Sequence, residues 1–353
     1  MILNLNNLLF FSMFSLGAAM FSQNKYMVYN FPANFKAEIH INGFANHNLN
    51  YVNGYVQIFS KNNKMIIYSG FEQVNNLFYE NNKINFYKQN FILYADFNFD
   101  GKKDFAIKEK VKNCYGTPSY KIYLNQSNET FILNQSLSKL TQKYCGIFYT
   151  DTITNNIITY TQSGCCLHTD YFFKLENDEP VLIKKIITDA TNLPFILKTS
   201  LVNDNDEIKA QKTIRYIDFN LPDLNNIFSF DIADASLNSN EIVGSVFVFT
   251  YNDTLYYAFV YKQTIIEVAS YFPNEKYQKN FFIYYPNDNK LVFGFDDIRY
   301  EIYENNQNIS KMDTGINVIV NDMADFSKAI PISVKGTFKK LLQLKPVNLK
   351  VIN

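Results

Sequence analysis

The chain has 353 residues, enough for a sizeable core and for two domains. Its 33 Lys and Arg balance 33 Asp and Glu, so neither the basic excess of a nucleic-acid binder nor the acidic tail of a solvating segment is present. Aromatic residues make up 17%, with no Trp, and such a composition favours half-buried pleated surfaces.

At the start, "MILNLNNLLFFSMFSLGAAMFSQ" contains an apolar run from Leu8 to Met20 that ends in small residues. Its length suits a secretory h-region, so residues 1–22 are expected to be a signal peptide cleaved near Ser22, although the first basic residue is only Lys25. No cysteine stands near that site to take a lipid, and no later segment is long and apolar enough to cross a bilayer. The mature chain is therefore expected to be exported, as a periplasmic, cell-surface or secreted protein, with no transmembrane segment after cleavage.

Short alternating segments separated by Asn, Asp and Gly turns follow. "GYVQIFSKNNKMIIYSG", "YFFKLENDEPVLIKKI" and "FFIYYPNDNKLVFGF" each read as two strands joined at a polar turn. Only "GTFKKLLQLK", residues 336–345, suggests a helix. The fold class is expected to be all-β and mainly antiparallel. Between about Leu197 and Pro222, "NDNDEIKAQK" lacks apolar alternation and reads as a linker or long surface loop. This divides the mature chain into a domain of residues 23–200 and a β-rich domain of residues 220–353.

One stretch of the first domain carries metal-ligand spacing. In "DFNFDGKKD", Asp96, Asn98 and Asp100 present side-chain oxygens at positions 1, 3 and 5, and Gly101 permits a sharp turn at position 6. The carbonyl of Lys102 falls at position 7 and Asp104 at position 9. A hard cation that takes six to eight oxygens, Ca²⁺, suits such a loop better than the smaller Mg²⁺. Ile107 stands where a helical EF-hand needs a bidentate Glu, and both flanks are β-like. The expectation is a structural calcium turn between strands, neither catalytic nor a sensor.

The four cysteines, Cys114, Cys145, Cys165 and Cys166, fall within one region and suit an oxidising compartment. The adjacent pair makes a strained ring, so Cys165 and Cys166 are expected to pair separately with Cys114 and Cys145. Zinc is disfavoured, because there is no C-x-x-C spacing and only His168 lies nearby. Enzyme motifs are also lacking: there is no H-E-x-x-H, no G-x-S-x-G and no Gly-rich phosphate loop. The carboxylate pair Asp296–Asp297 reads as a charged hairpin face rather than a glycosidase pair.

"DFNFDGKKDFAI" resembles the calcium loop of secreted β-propeller proteins, both FG-GAP repeats and a smaller bacterial group with one loop of the form D-x-N-F-D-G-x-x-D-[FL]. The likeness continues through "YKIYLN", "FILNQSL" and "SGCCLHTDYFFKLENDEPVLI", over roughly residues 50–190. That group includes lysozyme-inhibitor-like immunity proteins, which guard the periplasm against peptidoglycan-cleaving toxins of type IV secretion systems. The resemblance implies a propeller-like first domain and a non-enzymatic role, engaging a protein partner such as a peptidoglycan hydrolase. It also implies a binding loop of the form S-G-x-x-Y, matched here by Ser163 and Gly164, with Leu167 at the tyrosine position. A cell-surface scaffold or adhesion module binding glycan or protein is the alternative, and a glycan hydrolase ranks last.

Overall fold

The structure is a computed structural model and describes residues 23–42, 52–74, 83–88, 90–127, 130–204, 207–234, 242–269, 282–295, 298–304, 314–320, 323–325 and 329–352. The expected signal peptide and the Asp296–Asp297 pair lie outside the described residues. By contacts the chain separates into two units, Met1–Thr161 with Tyr171–Leu182, and Gln162–Asp170 with Ile183–Asn353.

The first unit is built on strands β1 (Gln23–Tyr29), β2 (Phe35–Asn42), β3 (Val52–Ser60), β4 (Met65–Val74), β5 (Lys83–Asn85), β6 (Ile92–Ala95), β7 (Asp104–Asn113), β8 (Thr117–Ser127) and β9 (Thr130–Asn134). They form one sheet in the order β5-β1-β2-β3-β4-β7-β8-β9, with β6 hydrogen-bonded to β7. Most pairs are antiparallel, but β1–β5 and β4–β7 are parallel. Alternation sets the inner face: in β2, Phe35, Ala37, Ile39 and Ile41 are buried while the residues between them are not.

Strands β7 and β8 are covered on both faces. Phe105 and Ile107 join the core under β2 and β3, whereas Ala106, Tyr120 and Ile122 pack with Leu137, Leu140 and Tyr144 on the other side. Burial on both faces explains why "FAI" (residues 105–107) reads as a continuous apolar run instead of alternating. The second cover includes α1 (Gln135–Lys143), a helix the sequence reading did not expect. Asn134 caps it, its Oδ1 accepting from the Leu137 N–H at 2.8 Å. Two hydroxyls then seat the helix on β8: the Tyr120 N–H donates to Thr141 Oγ1 (2.7 Å) and the Ile122 N–H to Ser138 Oγ (2.9 Å).

A second sheet runs in sequence order from β10 (Tyr149–Asp151) through β11 (Asn156–Ser163), β12 (Leu167–Glu176), β13 (Glu179–Asp189) and β14 (Phe195–Asp204) to β15 (Glu207–Ile217). The polar stretch expected as a linker is instead the β14–β15 hairpin, with ten paired residues on each strand and a register shift at Ser200/Leu201. From Glu207 to Thr213 each β15 residue is exposed, so neither face demanded apolar residues and no alternation was visible in the sequence.

The second unit also contains two further sheets, formed from residue 224 onward. One has the order β19-β18-β17-β16-β25, from strands Leu224–Asp234 (β16), Ile242–Tyr251 (β17), Thr254–Tyr261 (β18), Thr264–Ala269 (β19) and Ala329–Gly336 (β25). The other has the order β24-β23-β22-β21-β20-β26, from Phe282–Tyr285 (β20), Lys290–Phe295 (β21), Ile298–Glu304 (β22), Thr314–Val320 (β23), Met323–Asp325 (β24) and Leu349–Val351 (β26). Phe228, Phe230 and Tyr257 of the former share one core with Phe282 and Phe293 of the latter and with Phe338. The expected helix is present as α2 (Lys340–Leu344). Among the described residues the architecture is all-β with antiparallel and mixed sheets, and no strand order closes on itself into a barrel.

Thr141→Val tests how α1 is held. The substitution keeps the shape but leaves the buried Tyr120 N–H without its acceptor, so it is expected to cost about 1–3 kcal/mol. Urea unfolding monitored by circular dichroism reads the loss, and an unchanged midpoint removes that hydrogen bond from the account.

Candidate metal centre and the cysteine-bearing turn

Strands β6 and β7 form a hairpin, with Ala95 opposite Asp104 and Tyr94 opposite Phe105. The loop from Asp96 to Lys103 therefore begins and ends on one rigid ladder. Positive φ at Phe99 (64°) and Gly101 (83°) turns the chain, and a side chain at Gly101 would meet open space, so the glycine is required by conformation and not by crowding.

Side-chain oxygens organise the loop backbone. Asp96 Oδ1 accepts from the Phe99 N–H (2.7 Å) and its Oδ2 from the Gly101 N–H (2.9 Å). Asp100 Oδ1 accepts from the Lys102 N–H (2.8 Å), while Lys102 Nζ lies 3.5 Å from Asp100 Oδ2 and donates to the Gln126 carbonyl (2.7 Å). Asp104 is fully buried and uses both oxygens: Oδ2 accepts from the Phe97 N–H (2.8 Å) and Oδ1 from the Asn125 N–H (2.9 Å). It thus fastens the loop on one side and β8 on the other.

The sequence reading missed Asp178. It sits in the β12–β13 turn with φ +62°, beside Asn177 at +52°. Its Oδ1 accepts from Asn98 Nδ2 (3.0 Å), and its carbonyl accepts from Asn134 Nδ2 (3.1 Å), the residue that caps α1. The "ENDE" turn signal located this hairpin, but nothing local could show that it supports a loop 80 residues earlier.

Burial pushes the Asp104 carboxyl up to about 6; the nearby charges of Asp100 and Asp96 push the same way, and the N–H groups of Asn125 and Phe97 pull it partly back. Five sequence-predicted ligand positions, Asp96, Asn98, Asp100, Lys102 and Asp104, are therefore brought into one loop of hard oxygen donors with concentrated negative charge. Among the described residues no three His, Cys, Asp or Glu side chains converge into a ready cation cage; the carboxylates are turned onto backbone amides instead.

Ser163 and Gly164 belong to the second unit. Both are exposed where β11 turns into β12, and Gly164 has φ +64°. The disulfides correct the expected pairing: Cys114 joins Cys145, and Cys165 joins Cys166. Helix α1, docked on β8, carries Cys145 back toward the end of β7, where Cys114 waits. Cys145 is buried, with its N–H on the Tyr160 carbonyl (2.9 Å), and this leaves Cys165 and Cys166 only each other.

No protein-family profile matches the sequence, and no curated protein does. Among solved structures, a Xanthomonas type IV secretion system related protein is similar at 21% identity and TM-score 0.40, over 51% of this chain and 90% of that one. Prolyl oligopeptidase B from Galerina marginata is similar at 9% identity and TM-score 0.25, over 89% of this chain and 43% of that one. At these TM-scores neither likeness fixes a fold or an activity.

The Asp104 environment predicts a pH dependence. Its folded pKa lies above the unfolded value of about 4, so folding takes up a proton between those values and metal-free stability falls as pH rises from about 4 to about 6. The full contribution is of order 2–3 kcal/mol. Glu267 is also raised, chiefly by burial, so the assignment needs a variant. Asp104→Asn should reduce the fall measured by urea unfolding across that range, and an unchanged slope moves the effect to other groups.

Proposed function

We propose that this chain is an exported, non-enzymatic binding protein whose first unit is stabilised by one Ca²⁺ ion in the loop 96–104, and which engages a protein partner. The observation that carries the metal reading is the loop itself: closely spaced hard oxygens around a carboxylate whose pKa is raised chiefly by burial, with its acidic neighbours pushing the same way. Asp96, Asn98, Asp100 and Asp104 would supply side-chain oxygens and Lys102 its carbonyl. The ion supplies the positive charge that the loop's three aspartates lack.

Export is supported by the apolar N-terminal run and by two disulfides with no free cysteine among the described residues. A peptidoglycan hydrolase is the partner named by the motif resemblance, and Ser163–Gly164 on the exposed turn is the edge offered to it. The propeller-like arrangement of the first domain belongs to the same resemblance. A second reading, glycan binding at a cell surface, draws on the first sheet's outer face. There His40 stacks on Tyr55 at 4.5 Å, Tyr55 lies 4.9 Å from the exposed Tyr68, and a cleft of ≈ 460 Å³ is lined by Asn42, Asn53, Glu72, Glu109, Lys110 and Lys121.

Calcium added to chelator-treated protein should raise the unfolding midpoint, with a gain of about 2.7 kcal/mol at a hundredfold excess over Kd. Asp100→Ala should abolish that gain and cost less than about 1 kcal/mol in the metal-free protein, since its side chain is partly exposed. A midpoint indifferent to calcium would reject the metal reading. For the partner, a panel of peptidoglycan hydrolases is tested for complex formation and loss of lysis, with Ser163→Arg expected to break any complex. No complex across the panel, together with retention on a glycan array, would transfer the function to the second reading.

A further inference from the structure

The two disulfides occupy opposite environments. Cys114–Cys145 joins residues 31 apart and includes a cysteine only 3% exposed, beside the core formed by Leu140, Tyr144 and Phe148. Cys165–Cys166 joins neighbours at the tip of the β11–β12 turn, where Ser163, Gly164, Cys165 and Leu167 are exposed. A Cβ at Gly164 would meet no heavy atom within 4 Å other than those of its own chain neighbours, so open space adjoins the tip at that residue.

The tip backbone does not depend on the sulfur–sulfur bond. Three consecutive carbonyls are held by other groups: Gln162 Nε2 donates to Gly164 O (3.1 Å), His168 Nε2 to Cys165 O (3.2 Å), and the Ala190 N–H to Cys166 O (2.8 Å). A bond between adjacent residues also closes no long loop, so its loss frees little of the unfolded chain. Exposure without structural dependence is what a disulfide needs if it is to be opened and reclosed while the protein stays folded.

We propose that Cys165–Cys166 is a thiol–disulfide exchange site that takes an external dithiol as its reaction partner. One thiolate of the dithiol attacks Sγ of the exposed residue Cys165, a mixed disulfide forms, and Cys166 Sγ leaves as a thiolate that takes a proton. The dithiol's second thiolate then attacks its own sulfur in the mixed disulfide and expels Cys165. The dithiol ends as a disulfide and the protein as two adjacent thiols, with two electrons and two protons transferred. The Gln162, His168 and Ala190 contacts keep both thiols on the tip, ready for reoxidation.

The test uses the oxidised full-length mature protein under native conditions. It is exposed to graded dithiothreitol, quenched with iodoacetamide and read by intact mass and peptide mapping. Carbamidomethylation at Cys165 and Cys166 is expected at least about tenfold faster than at Cys114 and Cys145, giving a species with two labels. The selectively reduced protein should keep its cooperative thermal transition and regain the original mass on reoxidation. Simultaneous opening of both bonds, earlier opening of Cys114–Cys145, labelling of Cys165 or Cys166 before reductant is added, or loss of the thermal transition on selective reduction would each overturn the proposal. None of these outcomes depends on calcium or on a hydrolase partner.

Discussion

A buried carboxylate must find donors for both oxygens, and in the first unit that requirement falls on Asp104. Removed from solvent, it takes one backbone N–H from the loop that precedes it and one from β8. The loop path, the start of β7 and the placement of β8 are therefore coupled at one side chain. The loop's remaining acidic and amide side chains continue the pattern, each turning an oxygen onto an amide that the tight turn leaves without a strand partner.

Side chains clamp backbone groups elsewhere among the described residues as well. Thr141 exchanges hydrogen bonds with both backbone groups of Tyr120, and Glu304 Oε2 accepts from the Phe338 N–H (2.9 Å) and from Thr337 Oγ1 (3.0 Å). Asn348 pairs with the N–H and carbonyl of Leu255 across 93 residues, replacing one rung of a ladder with a side chain. Such clamps tie segments that share no β-pairing. Each is sensitive to substitution, because losing the partner strands a backbone group that water cannot reach.

These clamps also mark what could be read in the sequence. Alternation and polar turns located the β3–β4, β12–β13 and β20–β21 hairpins, since both signals are local. The turn at 96–104 was legible for the same reason, its Asp, Asn and Gly residues standing close together in the sequence. Helix α1 was not legible. "QSLSKLTQK" has five hydroxyl or amide residues and little apolar content, and its helicity rests on the Asn134 cap and on docking against β8. Asp178 and the cysteine pairing were hidden by the same cause, since both depend on where α1 and the β12–β13 turn arrive in space.

The cysteine pairing has an energetic reading that the expected one lacked. Cross-linking residues 31 apart removes loop entropy from the unfolded chain, worth about 3–4 kcal/mol on the chain-entropy account, and Cys114–Cys145 joins the end of β7 to the residue that follows α1 and Tyr144. On that account Cys165–Cys166, which joins adjacent residues, contributes almost nothing. Had each cysteine of the tip paired with Cys114 or Cys145, both bonds would have closed long loops and both would have been structural. The observed pattern concentrates cross-link stabilisation in one buried bond and leaves the other at an exposed turn beside Ser163 and Gly164.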